Sequence, residues 1–293
     1  MRAAAFDYVR AGSVAEALDA LADDDREARV LAGGQSLVPM MALRLARPEV
    51  LVDITRCPDL LSHSIDGPVL RIGAAVPDAV LERDAEIRAA HPLLVRTLSL
   101  IAHEEIRARG TLCGSLAHAD PAAELPALLL ATDGEVEVDG PAGPRRVPAA
   151  EFFAGPFTAA LDDGEMVVAA RLPLPGPAVG WAVDEIARRP GDFALAGAVS
   201  TIELDGSGRC TRVSVALFGV AGTPVRSRGA EEVLMGQQVD DAVLDAAAAA
   251  GLDGVDVLGD EVHAPAAYRR DAGRALVRRT LAAAVRSAGG GTA

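Results

Sequence analysis

Two short stretches carry the residue types that hold phosphate groups. The first, Ala32-Gly33-Gly34-Gln35-Ser36, lies between the apolar runs Ala28-Arg29-Val30-Leu31 and Leu37-Val38-Pro39-Met40-Met41. Adjacent glycines lack Cβ atoms, so the backbone there can take positive φ and a ligand can approach it closely. Gln35 and Ser36 set an amide and a hydroxyl beside several backbone N–H groups. Such a cluster of donors cradles a pyrophosphate without any basic side chain. A tight turn between a strand and a helix explains the same residues. The second stretch, Thr111-Leu112-Cys113-Gly114-Ser115, is another glycine loop, and the two together give the phosphate reading its weight.

Other candidate chemistry is thinner. His118 and Asp120 beside the second loop suggest either an acid–base pair or local hydrogen bonding at a helix start, and the local reading is preferred. His63, His91, His103 and His263 show no metal-ligand spacing with each other or with cysteine, so no metal is assigned. Cys57, Cys113 and Cys210 are far apart and belong to no CxxC pattern. They cannot by themselves hold an iron–sulfur cluster. If electrons pass through this protein, such a cluster must come from another chain. Arg188 and Arg189 suit either an anionic partner or surface ion pairs.

Composition narrows the partners. The chain has 293 residues with a formal net charge of −14, which opposes binding to nucleic acid or to an anionic membrane surface. Aromatic residues make up only 3%, too few for a base-stacking platform. No apolar run reaches the length of a membrane span and no signal-peptide pattern opens the sequence, so a cytoplasmic location is expected. Every basic residue is arginine.

The elements that must position the two loops follow from spacing. Ser13 and Glu16 have capping-box spacing ahead of Val14, Ala17, Leu18 and Leu21, which predicts a helix over 13–22 with Asp23-Asp24-Asp25 as its solvated end. Strands are expected at 29–32 and Val50–Ile54, a polar connection over 55–67, a strand over 69–74 and a helix from about 92 to 102. A helix start is expected at Asp120–Glu124, and strands at 135–138 and 165–172. The proline run Pro173-Leu174-Pro175-Gly176-Pro177 marks a domain boundary, giving domains 1–175 (subdomains about 1–57 and 58–175) and 176–293. Beyond it, strands at 181–187, 196–204 and 212–219 precede helices at about 227–235, 240–249 and 264–287, an α+β pattern.

Three motifs in order resemble one family. Ala32-Gly33-Gly34-Gln35-Ser36-Leu37-Val38-Pro39 continues into Leu43-Arg44-Leu45, Pro48 and Leu51-Val52-Asp53-Ile54. The second motif runs from Ile106-Arg107-Ala108-Arg109-Gly110-Thr111 through Asp120-Pro121-Ala122-Ala123-Glu124-Leu125-Pro126, and the third is Arg188-Arg189-Pro190-Gly191-Asp192-Phe193-Ala194. Together they resemble the flavoprotein subunit of molybdenum hydroxylases, the group that includes the carbon monoxide dehydrogenase medium chain and the FAD domain of xanthine dehydrogenase. The resemblance implies an α+β fold: a two-subdomain FAD-binding domain of the PCMH/vanillyl-alcohol-oxidase type plus a smaller C-terminal α+β domain with a three-stranded antiparallel sheet.

It also implies the cofactor contacts. The pyrophosphate of FAD falls on Ala32, Gly33, Gly34, Gln35 and Ser36, flanked by Val30, Leu31 and Leu37. Thr111, Cys113, Gly114, Ser115, Ala117 and Asp120 follow around the second loop, with Glu124, Ile101 and Val167 as further contacts. Asp184 stands where some relatives carry a flavin-contacting lysine, and Phe193 where others place an aromatic, either against the flavin or in a core. Cys113 replaces the first glycine of the family's pair, where positive φ would strain a cysteine, and Ala108 replaces an asparagine.

The implied role is an electron-transfer subunit carrying FAD, with 2Fe–2S clusters and the molybdopterin cofactor confined to an iron–sulfur subunit and a large molybdopterin-binding subunit of a heterotrimer, single or doubled. A stand-alone flavin oxidase or dehydrogenase remains an alternative. So does an assembly subunit that has lost standard FAD binding through Cys113 and Ala108.

Overall fold

A computed structural model describes residues 3–22, 25–260 and 262–288; of the acidic run after the first helix, Asp23 and Asp24 lie outside these residues. The N-terminal unit comprises β1 (Asp7–Arg10), α1 (Val14–Leu21), β2 (Ala28–Leu31), α2 (Leu37–Ala42) and β3 (Val50–Asp53). Ser13 caps α1 by accepting the Glu16 N–H at 3.2 Å, while the Glu16 carboxylate accepts the Gly12 N–H at 2.7 Å. The expected spacing therefore does its capping, one residue further out than the standard box. The strands form a parallel sheet in the order β1-β3-β2. All four residues of β3 are buried, which is why Val50-Leu51-Val52 reads as an unbroken apolar run.

The central unit holds β4 (His63–Asp66), β5 (Val69–Gly73), α3 (Asp78–Arg83), α4 (Ala85–Ala90), α5 (Pro92–Leu98), α6 (Glu104–Arg107), α7 (Leu112–His118) and α8 (Glu124–Ala131). It continues through β6 (Glu135–Asp139), β7 (Arg145–Pro148), α9 (Ala149–Phe152), β8 (Phe153–Gly155), β9 (Thr158–Ala159) and β10 (Met166–Pro173). Its main sheet is antiparallel, in the order β4-β5-β10-β6-β7. Three expectations change here. The polar connection over 55–67 contains the strand β4, an edge strand whose half-polar pattern resembles a loop. The helix expected to reach residue 102 stops at Leu98, because the next residues close i→i+3 turns and Ala102 takes a φ of 42°. The second glycine loop is the start of α7, with Thr111 as its N-cap. All eight residues of α8 are buried, Glu124 included, as expected of a helix enclosed on every side.

The C-terminal unit has β11 (Val179–Ile186), β12 (Ala196–Leu204), β13 (Cys210–Phe218), β14 (Val225–Arg226), α10 (Arg228–Leu234), α11 (Asp241–Ala250) and α12 (Ala266–Ala288). Its antiparallel sheet has four strands, β11-β12-β13-β14, rather than three. The fourth contains only two residues, too few for an alternating pattern to register. Alternation divides the sheet's faces. Val183, Val199, Ala216 and Phe218 join the core shared with α8, while Ala198, Ile202, Val215 and Leu217 pack under α12 with Leu276, Val277 and Leu281.

Close approach of α12 depends on Gly180. A Cβ there would collide with the Ala284 carbonyl oxygen and lie 2.6 Å from the Ala288 nitrogen. Gly180→Val should destabilise the protein by roughly 1–3 kcal/mol through overpacking, read as a lower urea midpoint; an unchanged midpoint would contradict this packing.

Candidate functional site

The two glycine turns meet. The chain leaves the parallel sheet at the carboxyl end of β2, the edge at which α/β sheets hold ligands. Gly34 takes a φ of 71°, and the Gln35 side-chain amide donates to the Gly33 carbonyl at 3.0 Å, closing the turn. At the second turn the Thr111 hydroxyl accepts the Gly114 N–H at 3.0 Å, fixing the first turn of α7. A Cβ on Gly33 would collide with the Arg109 carbonyl oxygen and lie 2.8 Å from the Gly110 Cα. A Cβ on Gly114 would reach the Ala32 Cβ at 3.9 Å. The first turn thus abuts the backbone that enters the second.

This arrangement suits a twin-phosphate group. Among the described residues, the N–H groups of Gly33, Gly34, Gln35 and Ser36 donate to no protein acceptor, nor does that of Cys113, whereas the Leu112 N–H is engaged by the β-bridge between Thr111 and Pro77. The hydroxyls of Ser36, Thr111 and Ser115 stand on the same two segments. Val30 and Leu31 form the strand leading in, and Leu37 begins the helix leading out. Clustered N–H groups with no Cβ over them form a nest for an anion.

Gly191 brings the third motif to the same end of the molecule, since a Cβ there would lie 2.7 Å from the His103 ring, close behind Ile101. Phe193, two residues on, is 71% exposed, so the core reading of this residue is overturned. Arg188 and Arg189 are exposed and pair with no acid among the described residues, which removes the ion-pair reading. Val167 is buried on β10, and Ala117 is half-buried on α7. Asp184 is bound by the Arg279 guanidinium, so it is a neutralised acid rather than a free one.

Cys113 corrects an expectation. It lies inside α7 without positive φ, so the anticipated strain is absent. Its side chain turns into the core, with Sγ 3.6 Å from the Ile72 carbonyl. Burial pushes its thiol far above the ordinary range, which makes it inert. Only its main chain is available to the cleft. The acid–base alternative at the second loop also fails. Asp120 accepts the Ala122 N–H at 2.9 Å as a local turn, and the His118 ring lies 5.2 Å from that of Phe157. Partial burial lowers the His118 pKa, favouring the neutral ring.

Buried carboxylates surround this region, and the motifs mark Glu124 among them but neither Glu185 nor Asp78. Burial, followed by the neighbouring Glu185, pushes Glu124 up to about 8. Burial and then Asp184 push Glu185 up to about 7, and its Oε2 is buried without a partner. Asp78, directly behind the second turn, is pushed up to about 7 by burial. In the sequence, Asp78 reads only as a residue opening a helix after Pro77. Only the fold reveals its burial.

Comparison with known proteins agrees with this geometry. Residues 4–175 match the family described as the FAD binding domain in molybdopterin dehydrogenase, and residues 181–284 match the CO dehydrogenase flavoprotein C-terminal domain. The chain is 40% identical to the 6-hydroxypseudooxynicotine dehydrogenase complex subunit alpha of Paenarthrobacter nicotinovorans, covering 98% of this chain and 97% of that one. It is 35% identical to the carbon monoxide dehydrogenase medium chain of Afipia carboxidovorans, covering 94% and 95%. Among solved structures, a chain of quinoline 2-oxidoreductase from Pseudomonas putida 86 superposes with a TM-score of 0.93 at 34% identity, covering 98% of this chain and 99% of that one.

Glu124 yields a stability prediction. Its native pKa of about 8 lies above the ordinary 4.5, so the folded state must keep a proton that the unfolded chain releases. Stability contributed this way is present below pH 4.5 and is lost as pH rises towards 8. Glu124→Gln should flatten the decline in unfolding free energy across that window by up to about 1.4 kcal/mol per pH unit. Parallel curves for the two proteins in urea titrations would contradict it.

Proposed function

The chain belongs to the FAD-binding subunits of molybdopterin dehydrogenases, and on that premise we propose that it is the electron-transfer subunit of a heteromeric molybdenum hydroxylase. The observation that supports this reading is the meeting of Gly33 with Arg109 and Gly110, which brings two segments carrying free main-chain donors together. When bound, FAD would accept electrons one at a time from a partner's 2Fe–2S centre and pass them to an external acceptor.

This chain's own residues hold and surround that cofactor. The N–H groups of Gly33 to Ser36 and of Cys113 would take the phosphate oxygens, with Ser36, Thr111 and Ser115 adding hydroxyls. No cation is required, because the bare N–H groups supply the positive ends of their dipoles. Ile101, Ala117, Asp120, Glu124 and Val167 would line the remaining length of the cofactor, and Asp184 and Phe193 its C-terminal side. Glu124 and Glu185 keep a low-charge environment near neutral pH, since burial favours their protonated forms.

The expected partners are an iron–sulfur subunit and a large molybdopterin-binding subunit in a heterotrimer, single or doubled. Relatives are named for substrates as unlike as carbon monoxide and 6-hydroxypseudooxynicotine. That diversity supports assigning substrate choice to another chain. The reading as an assembly subunit that has lost FAD binding is not favoured, because Cys113 neither strains the loop nor enters the cleft.

Purified full-length chain, stripped of flavin and titrated with FAD, should quench flavin fluorescence with a stoichiometry of about one per chain. Gly33→Val would force the two turns apart and should weaken binding about 100-fold, equivalent to about 3 kcal/mol, while circular dichroism stays native. A wild-type chain that never takes up added FAD would overturn the proposal.

A further inference from the structure

Asp78 stands behind the second turn in a position that a phosphate-binding site would ordinarily avoid. Its N–H donates to the Gly110 carbonyl at 2.8 Å, and its neighbour Pro77 forms a β-bridge with Thr111. A Cβ on Gly110 would lie 2.8 Å from Asp78 Oδ2. Gly110 is also the residue whose Cα abuts Gly33. A single glycine therefore separates the carboxyl from the place where the two turns join.

The carboxyl lacks compensation. Asp78 is 3% exposed, and its Oδ1 is buried with no hydrogen-bond partner among the described residues. The cation facing it is Arg107 of α6, but that guanidinium is already engaged. It grips both carboxylate oxygens of Glu82 at 2.9 and 3.2 Å and donates to the Ile101 carbonyl at 2.9 Å. The other titratable groups facing Asp78 are Glu82 on its own helix, the Cys113 thiol of α7 and Glu124 of α8. None of these supplies a positive charge. Burial outweighs the attraction of Arg107 and leaves the carboxyl titrating near neutrality.

We propose that Asp78 is a proton-dependent positioning residue for a dinucleotide's pyrophosphate, holding the second turn as a neutral acid and opposing the phosphates once ionised. In the neutral state its O–H is a donor beside the cradle, and the orphan oxygen gains a role. When the pH rises, the proton passes to solvent and a buried negative charge remains behind Gly110. A bound pyrophosphate then favours the protonated form, so binding above neutral pH draws a proton back from solvent. This inference rests on the FAD reading.

The test is FAD affinity of the full-length, flavin-stripped chain across pH, followed by flavin fluorescence. A like charge nearby raises a carboxyl pKa by about one unit, so wild-type affinity should fall about tenfold between about pH 6 and pH 9. Asp78→Asn should bind at all pH values about as tightly as wild type does at the acid end. Asp78→Ser, smaller and also uncharged, should show the same flat profile, with thermal melts verifying that both variants fold. Calorimetry near pH 8 in buffers of different ionisation enthalpy should detect proton uptake with wild type and not with Asp78→Asn. If Asp78→Asn keeps the full slope, the titration belongs to Glu124 or Glu185, which remain intact in that variant, and the proposal is overturned. If no form binds FAD at any pH, the cofactor assignment itself falls, a result distinct from uniform, pH-independent binding, which would overturn the Asp78 proposal alone.

Discussion

Backbone touching backbone is the constraint on which this structure depends. Where Gly33 faces Arg109 and Gly110, there is no room for even one methyl group. Side chains could have held the two turns together at greater distance, but the N–H groups of one turn would then lie too far from those of the other to serve a single ligand. Glycine is required here for proximity, and at Gly34 for its φ of 71° as well. The surrounding elements serve that contact. β3 anchors the strand before the first turn through the bond from the Ile54 N–H to the Leu31 carbonyl. Thr111 fixes the second through its own cap.

The buried helix α8 links this site to the rest of the molecule. It packs on α5 and α7 on one side and on β12 and β13 on the other. Its first residue, Glu124, carries a carboxyl into an apolar setting with Glu185 across from it. Placing two acids there costs stability at high pH and leaves the region almost uncharged near neutrality. At the far end, Arg226 of the C-terminal sheet pairs with Asp133 at 2.8 Å and with Glu231 at 2.6 Å, fastening the sheet to the turn after α8. A site built between units held this firmly is preorganised rather than assembled on binding.

Much of this was legible in the sequence, for physical reasons. Adjacent glycines between apolar runs announced the first turn, and the Ser13–Glu16 spacing announced α1. The strand Glu135–Asp139 showed its alternation directly in Glu135-Val136-Glu137-Val138. Other features were hidden because the determining interaction is distant in sequence. Thr111-Leu112-Cys113-Gly114 resembles a loop until Thr111 is seen to cap a helix. Cys113 looked strained while its φ was inferred from a glycine at the matching family position, whereas the backbone is helical and the thiol faces Ile72. β14 is held by pairing with β13 rather than by any pattern of its own two residues. The burial of Asp78 follows from the packing of α6 and the second turn over it, which no local spacing reports.

Hydrogen exchange of individual amides in the flavin-stripped chain, with and without added FAD, tests the shared cradle most directly. The account predicts that the amides of Gly33 to Ser36 and that of Cys113 become protected together, at the same FAD concentration. Protection of one segment without the other, or of neither while FAD binds elsewhere, would contradict it.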